Sequence, residues 1–350
     1  MNEDGRAAAG SRERRLSSAV FQWATGRAGA EAGRVALSAS RDVLADVVSQ
    51  DGIADVYLVP DDDASRRATD VAQVLTFDGP FARPGDVMHI GSGYEIELKD
   101  YLAVPFTPIT RPTIISCTTS AAWQAFIEDA DEALATGVFI PQLASPSAVL
   151  ADQSVIDAAI DDTAVAINRL TIDAEYGVRY RPGGPVIGST RSIDLDDQPV
   201  PAFLRAEGER RDAGDAPARE LAARPWIRRY LAALRIVGGT AGDTWSFSGF
   251  GADLTGDAVD RRGRASGHLI AWRGEDYQLI AESGRRFALG RETAIAIESL
   301  LESPSIEQAL DSVRDAGVTR PRLRQELDEL SIRLTAAGVM SDLRDASASR

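Results

Sequence analysis

The sequence predicts two folded domains. The first is an α/β front domain built on a small, open, mostly parallel sheet. The second is an α+β domain of the winged helix-turn-helix type, ordered β-β-β-α-α-α. Short apolar runs alternate with helical stretches between residues 17 and 165, which is typical of α/β domains. Three strand-like runs and then three amphipathic helices follow one another between residues 265 and 340. The 350 residues are enough for two domains of about 150 residues each.

The front domain, residues 17–165, is predicted from short apolar runs that are bounded by Gly, Pro or Asp, as buried strands are. Four such runs are predicted as strands: 54–60, 86–91, 112–119 and 137–143. Three stretches with helical periodicity are predicted as helices: 40–50, 64–75 and 120–137. In the last of these, Trp123, Phe126 and Ala130 fall on one face, and Gly137 is a typical helix stop.

Residues 166–264 are predicted as a strand- and loop-rich connecting region with a helix near 219–237. The charged stretch 205–220 has no apolar periodicity and is a linker candidate. The stretch 237–257 combines six glycines with aromatic residues, and two interpretations are open: a lid over a ligand, or a bulged hairpin packed beside a core. Both chain ends, 1–16 and 341–350, are polar and are predicted as disordered tails.

The C-terminal domain, residues 265–340, begins with three predicted strands between 267 and 289, separated by turns at Gly274 and Gly284. Three helices follow, and each has an apolar stripe at helical spacing. The stripes consist of Ala294, Ile297 and Leu301 in the first helix, of Ile306, Ala309, Leu310 and Val313 in the second, and of Leu323, Leu327, Leu330 and Leu334 in the third.

Charge and hydropathy exclude several classes of function. The net charge is -15, and residues 42–165 hold 21 acidic and 5 basic side chains, so a nucleic-acid backbone would be repelled. That segment is interpreted either as a solvated acidic surface or as an acidic docking face for a basic peptide or a partner enzyme. No apolar run is long enough for a membrane span, and the amino terminus lacks the apolar centre of a signal peptide, which predicts a cytoplasmic protein.

Residues that carry catalytic chemistry are scarce. Lys99 is the only lysine, so a P-loop is excluded and a surface charge is its simplest role. Cys117, the only cysteine, excludes internal disulfides and Cys-based zinc sites, and is interpreted as a small buried residue rather than a nucleophile. His89 precedes a glycine turn, which is either a structural β-turn or the phosphate-cradling loop of a cryptic enzyme. We therefore expect no catalytic centre, no metal and no cofactor, and a binding protein rather than an enzyme.

Two kinds of ligand compete for the C-terminal domain. A transcriptional regulator, with the front domain as sensor, needs a basic recognition surface, but residues 267–340 hold 9 arginines and 12 acidic residues. An extended peptide can instead add to an edge strand through main-chain hydrogen bonds. The third strand is the expected edge, and its arginines either meet acidic peptide residues or keep the edge soluble. The residues of this strand are Arg285, Arg286, Phe287, Ala288 and Leu289.

The stretch 274–340 resembles a RiPP recognition element, the domain that binds leader peptides in the biosynthesis of ribosomally synthesised and post-translationally modified peptides (RiPPs). The matching features are the three-strand lead-in, the "FAL" strand at 287–289 before a helix, "SIEQAL" at 305–310, and the leucine seam ending in "AAGVM" at 336–340. With its long α/β front and its loop of glycines and aromatics, the whole chain resembles the recognition proteins of actinobacterial daptide biosynthesis.

This resemblance implies a non-catalytic protein that presents a leader peptide to tailoring enzymes: an oxidative decarboxylase or dehydrogenase, an aminotransferase and a methyltransferase. It also implies that the peptide lies against the third strand and against one flank of the third helix. The expected contacts are Arg320, Arg324, Leu327 and Ser331, but the sequence leaves open whether the peptide meets this flank or the opposite one, which carries Arg322, Glu326 and Arg333. Neither a nucleic acid nor a membrane is an expected partner.

Overall fold

The fold is that of a computed structural model, which describes most of the chain. The described residues are 3–28, 33–38, 53–61, 73–90, 94–173, 177–181, 184, 186–189, 192–193, 195–197, 199–200, 204, 211–239, 245–254, 267–281, 284–302, 325 and 329.

Helices and strands alternate along the described part of the chain. The α-helices are α1 (Glu3–Thr25), α2 (Ser120–Thr136), α3 (Gln153–Asp161), α4 (Arg211–Ala222), α5 (Ile227–Gly239) and α6 (Arg291–Glu302), and a 3-10 helix covers Tyr101–Phe106. The strands are β1 (Val35–Ser38), β2 (Val56–Pro60), β3 (Gln73–Phe77), β4 (Val87–Ile90), β5 (Tyr94–Asp100), β6 (Thr113–Ser116), β7 (Ala148–Leu150), β8 (Arg169–Asp173), β9 (Gly177–Arg179), β10 (Val186–Ser189), β11 (Ser192–Ile193), β12 (Ser246–Ser248), β13 (Gly251–Ala252), β14 (Leu269–Arg273), β15 (Asp276–Ile280) and β16 (Arg286–Leu289).

The chain forms two compact units, and each is built from two separate segments. The first unit contains residues 1–126 and 147–222, and the second contains residues 127–146 and 223–350. The boundaries therefore differ from the continuous domains that the sequence predicts. Helix α2 contributes to the first unit up to Phe126 and to the second from Ile127 onward.

Two sheets make up the first unit. The larger has the strand order β11-β10-β9-β8-β1-β2-β3, in which β8, β1, β2 and β3 are parallel and the β8-β9-β10-β11 half is antiparallel. The smaller has the order β4-β5-β6-β7, with an antiparallel β4-β5 pair and parallel β5, β6 and β7. An isolated bridge between Asp78 and His89 joins the end of β3 to β4.

Helix α1 lies in the core that these two sheets share. Its apolar residues Leu16, Val20 and Trp23 recur at helical spacing and are buried together with side chains from both sheets. The Trp23 ring packs against Phe81 with 5.7 Å between centroids, and its indole N–H donates to the carbonyl of Leu170 at 3.0 Å. Because the two sheets bury their apolar faces on one helix, α1 is a core element of the first unit.

The second unit has a sheet ordered β13-β12-β14-β15-β16. On one face, Ile270 and Leu279 are buried in a cluster with Ala294 and Ile297 of helix α6. On the other face, Phe247 meets an aromatic cluster in which Phe139 stacks on Tyr230 of α5 with 5.8 Å between ring centroids. The central part of this sheet is thus covered on both faces, so its residues alternate between two apolar layers.

The predicted fold class is wrong. The front contains two sheets, of seven and four strands, instead of one small open sheet, and the C-terminal sheet has five strands instead of the three of a winged helix. The physical reason lies in residues 166–264, which do not merely connect domains. Strands β8–β11 complete the seven-stranded sheet, and β12 and β13 extend the C-terminal sheet. The predicted second and third helices, near 306–313 and 319–337, fall outside the described residues apart from two positions.

Several predicted elements also change at the local level. The run 137–143 is not a strand: Gly137 has a φ of +73° and ends α2, and Phe139 packs among aromatics. Residues 73–75, predicted as the end of a helix, lie in β3. Helix α1 begins at Glu3, inside the predicted tail, where Ala, Arg and Glu favour helix. The helix predicted near 219–237 is two helices, α4 and α5, interrupted around Pro225.

Candidate functional site

The candidate peptide site is the edge strand β16. Strand β16 pairs with β15 in antiparallel register and is the last strand of its sheet among the described residues. The prediction that the third C-terminal strand is an edge agrees with this strand order. An edge strand exposes a row of main-chain donors and acceptors, and these can pair with another chain.

The hydrogen-bond pattern indicates which groups of β16 point outward. The N–H of Ala281 donates to the carbonyl of Arg285 at 2.9 Å, so these two residues form a hydrogen-bonded pair. Along an antiparallel ladder, such pairs alternate with pairs that share no hydrogen bond. The next hydrogen-bonded pairs are therefore Leu279–Phe287 and Tyr277–Leu289. It follows that the N–H and C=O groups of Arg286 and Ala288 point away from β15, toward the open edge.

The side chains of β16 separate into two faces. Phe287 and Leu289 are half-buried and pack against the apolar cluster of α6. Arg286 and Ala288 are exposed on the opposite face. The guanidinium of Arg285 lies over the Phe287 ring, 5.5 Å from its centroid. The strand is therefore fixed from one side by apolar packing, while its outer edge and its second face meet solvent.

The other half of the predicted peptide site is not described. Arg320, Arg324, Leu327 and Ser331, the residues expected on the flank of the third helix, all lie outside the described residues. Whether this flank and β16 form one groove stays a prediction.

A buried charged cluster lies in the first unit, and the sequence did not indicate it. Arg169 at the start of β8 donates to the carbonyls of Trp23 and Ala24 at the end of α1, and also to the carboxylate of Asp152. Arg181 lies 3.7 Å from the other oxygen of that carboxylate. Both arginines and Asp152 are buried. The cluster thus ties the end of α1 to the turn between β7 and α3.

The electrostatics of this cluster keep Arg169 charged. Burial by itself lowers the pKa of Arg169, but the charge and hydrogen bonds of Asp152 and Tyr180 together outweigh burial, so the pKa is raised. The Arg169 guanidinium also lies over the Tyr180 ring at 4.4 Å from its centroid. Tyr180 shares a hydrogen bond of 2.6 Å with Ser154, and burial raises the pKa of its phenol.

A small cavity opens beside the cluster, at the carboxyl ends of β6 and β7. It is lined by Ser116, Asp152 and both arginines, with apolar walls that include Trp23. Its free space of about 10 Å³ is close to the minimum for one water molecule. The carboxyl ends of parallel strands are where open α/β sheets bind ligands, but a space of this size fits a solvent molecule rather than a substrate. We therefore interpret the role of the cluster as structural: it holds the end of α1 in place.

The residues that the sequence offered as catalytic candidates do not form one site. His89 is half-exposed on β4, with its Nδ1 at 3.4 Å from Glu95, and the glycines of its turn are outside the described residues. Lys99 is buried rather than a surface charge, and its ammonium donates to the carbonyl of Pro108 at 3.1 Å. Cys117 is buried, and burial raises the pKa of its thiol well above the ordinary value, so it is protonated at neutral pH. No metal-holding group of three His, Cys, Asp or Glu residues occurs within the described part of the chain.

The loop of glycines and aromatics, 237–257, packs beside a core in the part that is described. Trp245, Phe247 and Phe250 are all buried, and Phe250 lies 5.5 Å from Phe139 between ring centroids. Of the two interpretations of this stretch, packing is the one that these contacts support. Residues 240–244 lie outside the described residues.

Comparisons with known proteins give no family for this chain. No protein-family model matches it, and no curated protein and no solved structure matches it at a significant level. Among the helices that the structure describes, none combines the length and the hydrophobicity needed to cross a bilayer.

Proposed function

We propose that this protein binds the leader region of a ribosomally made precursor peptide and presents it to tailoring enzymes, as the recognition proteins of daptide biosynthesis do. The enzymes implied are an oxidative decarboxylase or dehydrogenase, an aminotransferase and a methyltransferase. The observation that carries the proposal is the position of β16 at the edge of its sheet, with the main-chain groups of Arg286 and Ala288 directed outward. In this proposal the leader adds to β16 as a sixth strand.

The charge around β16 supports an acidic peptide segment as the ligand. Arg285, Arg286 and Arg291 are exposed at or beside this strand, whereas the acidic residue that follows, Glu292, is half-buried. A guanidinium that meets a carboxylate forms a charge-assisted hydrogen bond, which is stronger than a neutral one. The expected leader therefore carries at least one Asp or Glu next to the residues that pair with β16.

The binding test uses the full chain and a fluorescein-labelled synthetic peptide, taken from the leader region of a short precursor reading frame sought among the genes next to this one. The variant Ala288→Pro removes the outward N–H and places a ring on the open edge, where proline is compatible with the strand itself. The matched control Ala288→Ser keeps the N–H. Fluorescence anisotropy should show that Ala288→Pro weakens the leader's affinity roughly 10-fold or more, since one main-chain hydrogen bond and the fit of its neighbours are lost.

Three outcomes of this test contradict the proposal: no leader binding by the full chain, equal affinities of the proline and serine variants, or salt-sensitive binding of the chain to its own promoter DNA in place of the peptide. The last outcome would identify a transcriptional regulator instead.

A further inference from the structure

The polar cavity of the first unit is lined by residues from both of its sheets. This is the cavity beside the buried charged cluster, and its free space of about 10 Å³ corresponds to one water molecule. From the four-stranded sheet come Ser116, at the end of β6, and Asp152, which follows β7. From the seven-stranded sheet come Arg169 of β8 and Arg181, which follows β9. Polar groups of the two sheets therefore face one space of the size of a single solvent molecule.

One oxygen of the Asp152 carboxylate lacks a direct hydrogen bond. Its Oδ1 atom accepts from the Arg169 guanidinium. Its Oδ2 atom is buried and has no hydrogen-bond partner within the part of the chain that the structure describes. The Nη1 atom of Arg181 approaches Oδ2, but the separation of 3.7 Å is longer than a hydrogen bond. A buried carboxylate oxygen without a donor is costly, and a polar contact of this length is typical of two groups that a water molecule bridges.

The other polar groups of the cavity are held in place by contacts of their own. The Nη1 atom of Arg181 donates to the carbonyl of Cys117 at 2.8 Å. The Ser116 hydroxyl donates to the carbonyl of Lys99 at 3.4 Å, so the lone pairs of its oxygen remain as acceptors. The cavity thus offers a guanidinium as donor, and a carboxylate and a hydroxyl as acceptors.

We propose that this cavity is a hydration site, in which one ordered water molecule joins the two sheets. The water donates one proton to Asp152 Oδ2 and the other to the Ser116 hydroxyl oxygen, and it accepts a hydrogen bond from Arg181. Two to four polar partners are what a buried water molecule ordinarily has. The proposal is independent of peptide binding, since none of these residues belongs to the candidate site at β16.

The unpaired carboxylate oxygen favours water over the other possible contents of the cavity. A chloride ion would fit a space of this size beside two arginines, but it has no proton to donate to Asp152 Oδ2, and the two negative charges repel each other. A dry cavity is disfavoured as well, because cavities that stay dry in proteins are apolar.

The experiment combines crystallography of the full chain with a count of buried water molecules in solution. A high-resolution crystal structure of the wild type should show one water molecule at about 2.5–3.0 Å from Asp152 Oδ2. In solution, ¹⁷O magnetic relaxation dispersion counts the water molecules that are held inside the protein. Ser116→Val fills the space with methyl groups and removes the hydroxyl, whereas the matched control Ser116→Ala leaves the space open.

The expected result is the loss of one long-lived water molecule in Ser116→Val relative to the Ser116→Ala control, together with the loss of its density in crystals of the valine variant. The wild-type structure tests the proposal even if the valine variant does not fold. Three results would overturn it: no water density beside Asp152 Oδ2, a direct hydrogen bond between Arg181 and this oxygen that closes the space, or an equal water count in the two variants. An anomalous bromide peak in the cavity, in crystals soaked in sodium bromide, would replace the water by a halide ion.

Discussion

Replacement of Arg169 by methionine should destabilise the first unit strongly. The side chain is buried, and it donates hydrogen bonds to the carbonyls of Trp23 and Ala24 and to the carboxylate of Asp152. Methionine fills a similar volume but leaves the Asp152 carboxylate with Arg181 alone, at 3.7 Å. Removal of one partner from a buried ion pair costs about 3–5 kcal/mol, which is a large share of the roughly 5–15 kcal/mol of a typical unfolding free energy.

The matched control is the half-exposed pair of Arg27 and Asp157 in the same unit. Their Nη2 and Oδ2 atoms are 2.7 Å apart, and the side chains are 36% and 28% exposed. Solvent screens such a pair, so Arg27→Met should cost no more than about 1 kcal/mol. In differential scanning calorimetry, Arg169→Met should lower the first unit's melting temperature by roughly 6–20 °C, from about 2–4 °C per kcal/mol for a domain of this size. If both variants lower the melting temperature by the same small amount, the interpretation that the cluster holds the end of α1 in place is wrong.

Two further predictions concern pH and backbone geometry. Burial raises the pKa of Tyr180, so above about pH 10 the unfolded chain releases a proton that the folded chain keeps, and the free energy of unfolding falls as the pH rises. Urea titrations between pH 8 and pH 11 should show this decline. Tyr180→Phe should reduce the slope of the decline by up to about 1.4 kcal/mol per pH unit. An unchanged slope would show that the Tyr180 phenol does not cause it. In the second unit, Gly251 and Gly274 both have positive φ, but a Cβ at Gly251 would lie 2.5 Å from the Thr136 carbonyl carbon, whereas Gly274 faces open space. Thermal melts should therefore show a loss of about 1 kcal/mol for Gly274→Ala and a clearly larger loss for Gly251→Ala, and equal losses would show that the crowding at Gly251 is relieved.

Elements with a long or regular apolar pattern could be predicted from the sequence. Helix α2, strand β2 and the three strands β14–β16 lie where periodicity and turn residues indicate. In contrast, β12 and β13 have three and two residues, which is too short for any period to be visible. The run 137–143 is apolar enough for a strand, but its aromatic side chain is used to pack on Tyr230. The fold class was wrong because residues 166–264 add β8–β11 to the seven-stranded sheet of the first unit and β12 and β13 to the sheet of the second.

The two faces of the edge strand could be predicted from the sequence, whereas the buried cluster could not. The alternation of Arg286 and Ala288 with Phe287 and Leu289 predicts two faces, and the structure has them. The cluster of Asp152, Arg169 and Arg181 was missed because arginines are ordinarily exposed and these three residues lie in separate segments. A weak signal was present, since Arg169 stands at the start of a strand, next to the apolar Leu170. Arg169 reaches the carbonyls at the end of α1 because β8 pairs with β1, and this pairing is not visible in the sequence.

The central claim, that a leader peptide adds to β16, is tested most directly by amide hydrogen exchange resolved to single residues, in the full chain with and without saturating leader. The amides of Phe287 and Leu289 already pair with β15, so their protection should not change. We expect the amides of Arg286 and Ala288, which point to the open edge, to become protected when the leader binds. If the leader binds and these two amides exchange as fast as before, the peptide does not add to this strand and the proposed mode of recognition is wrong.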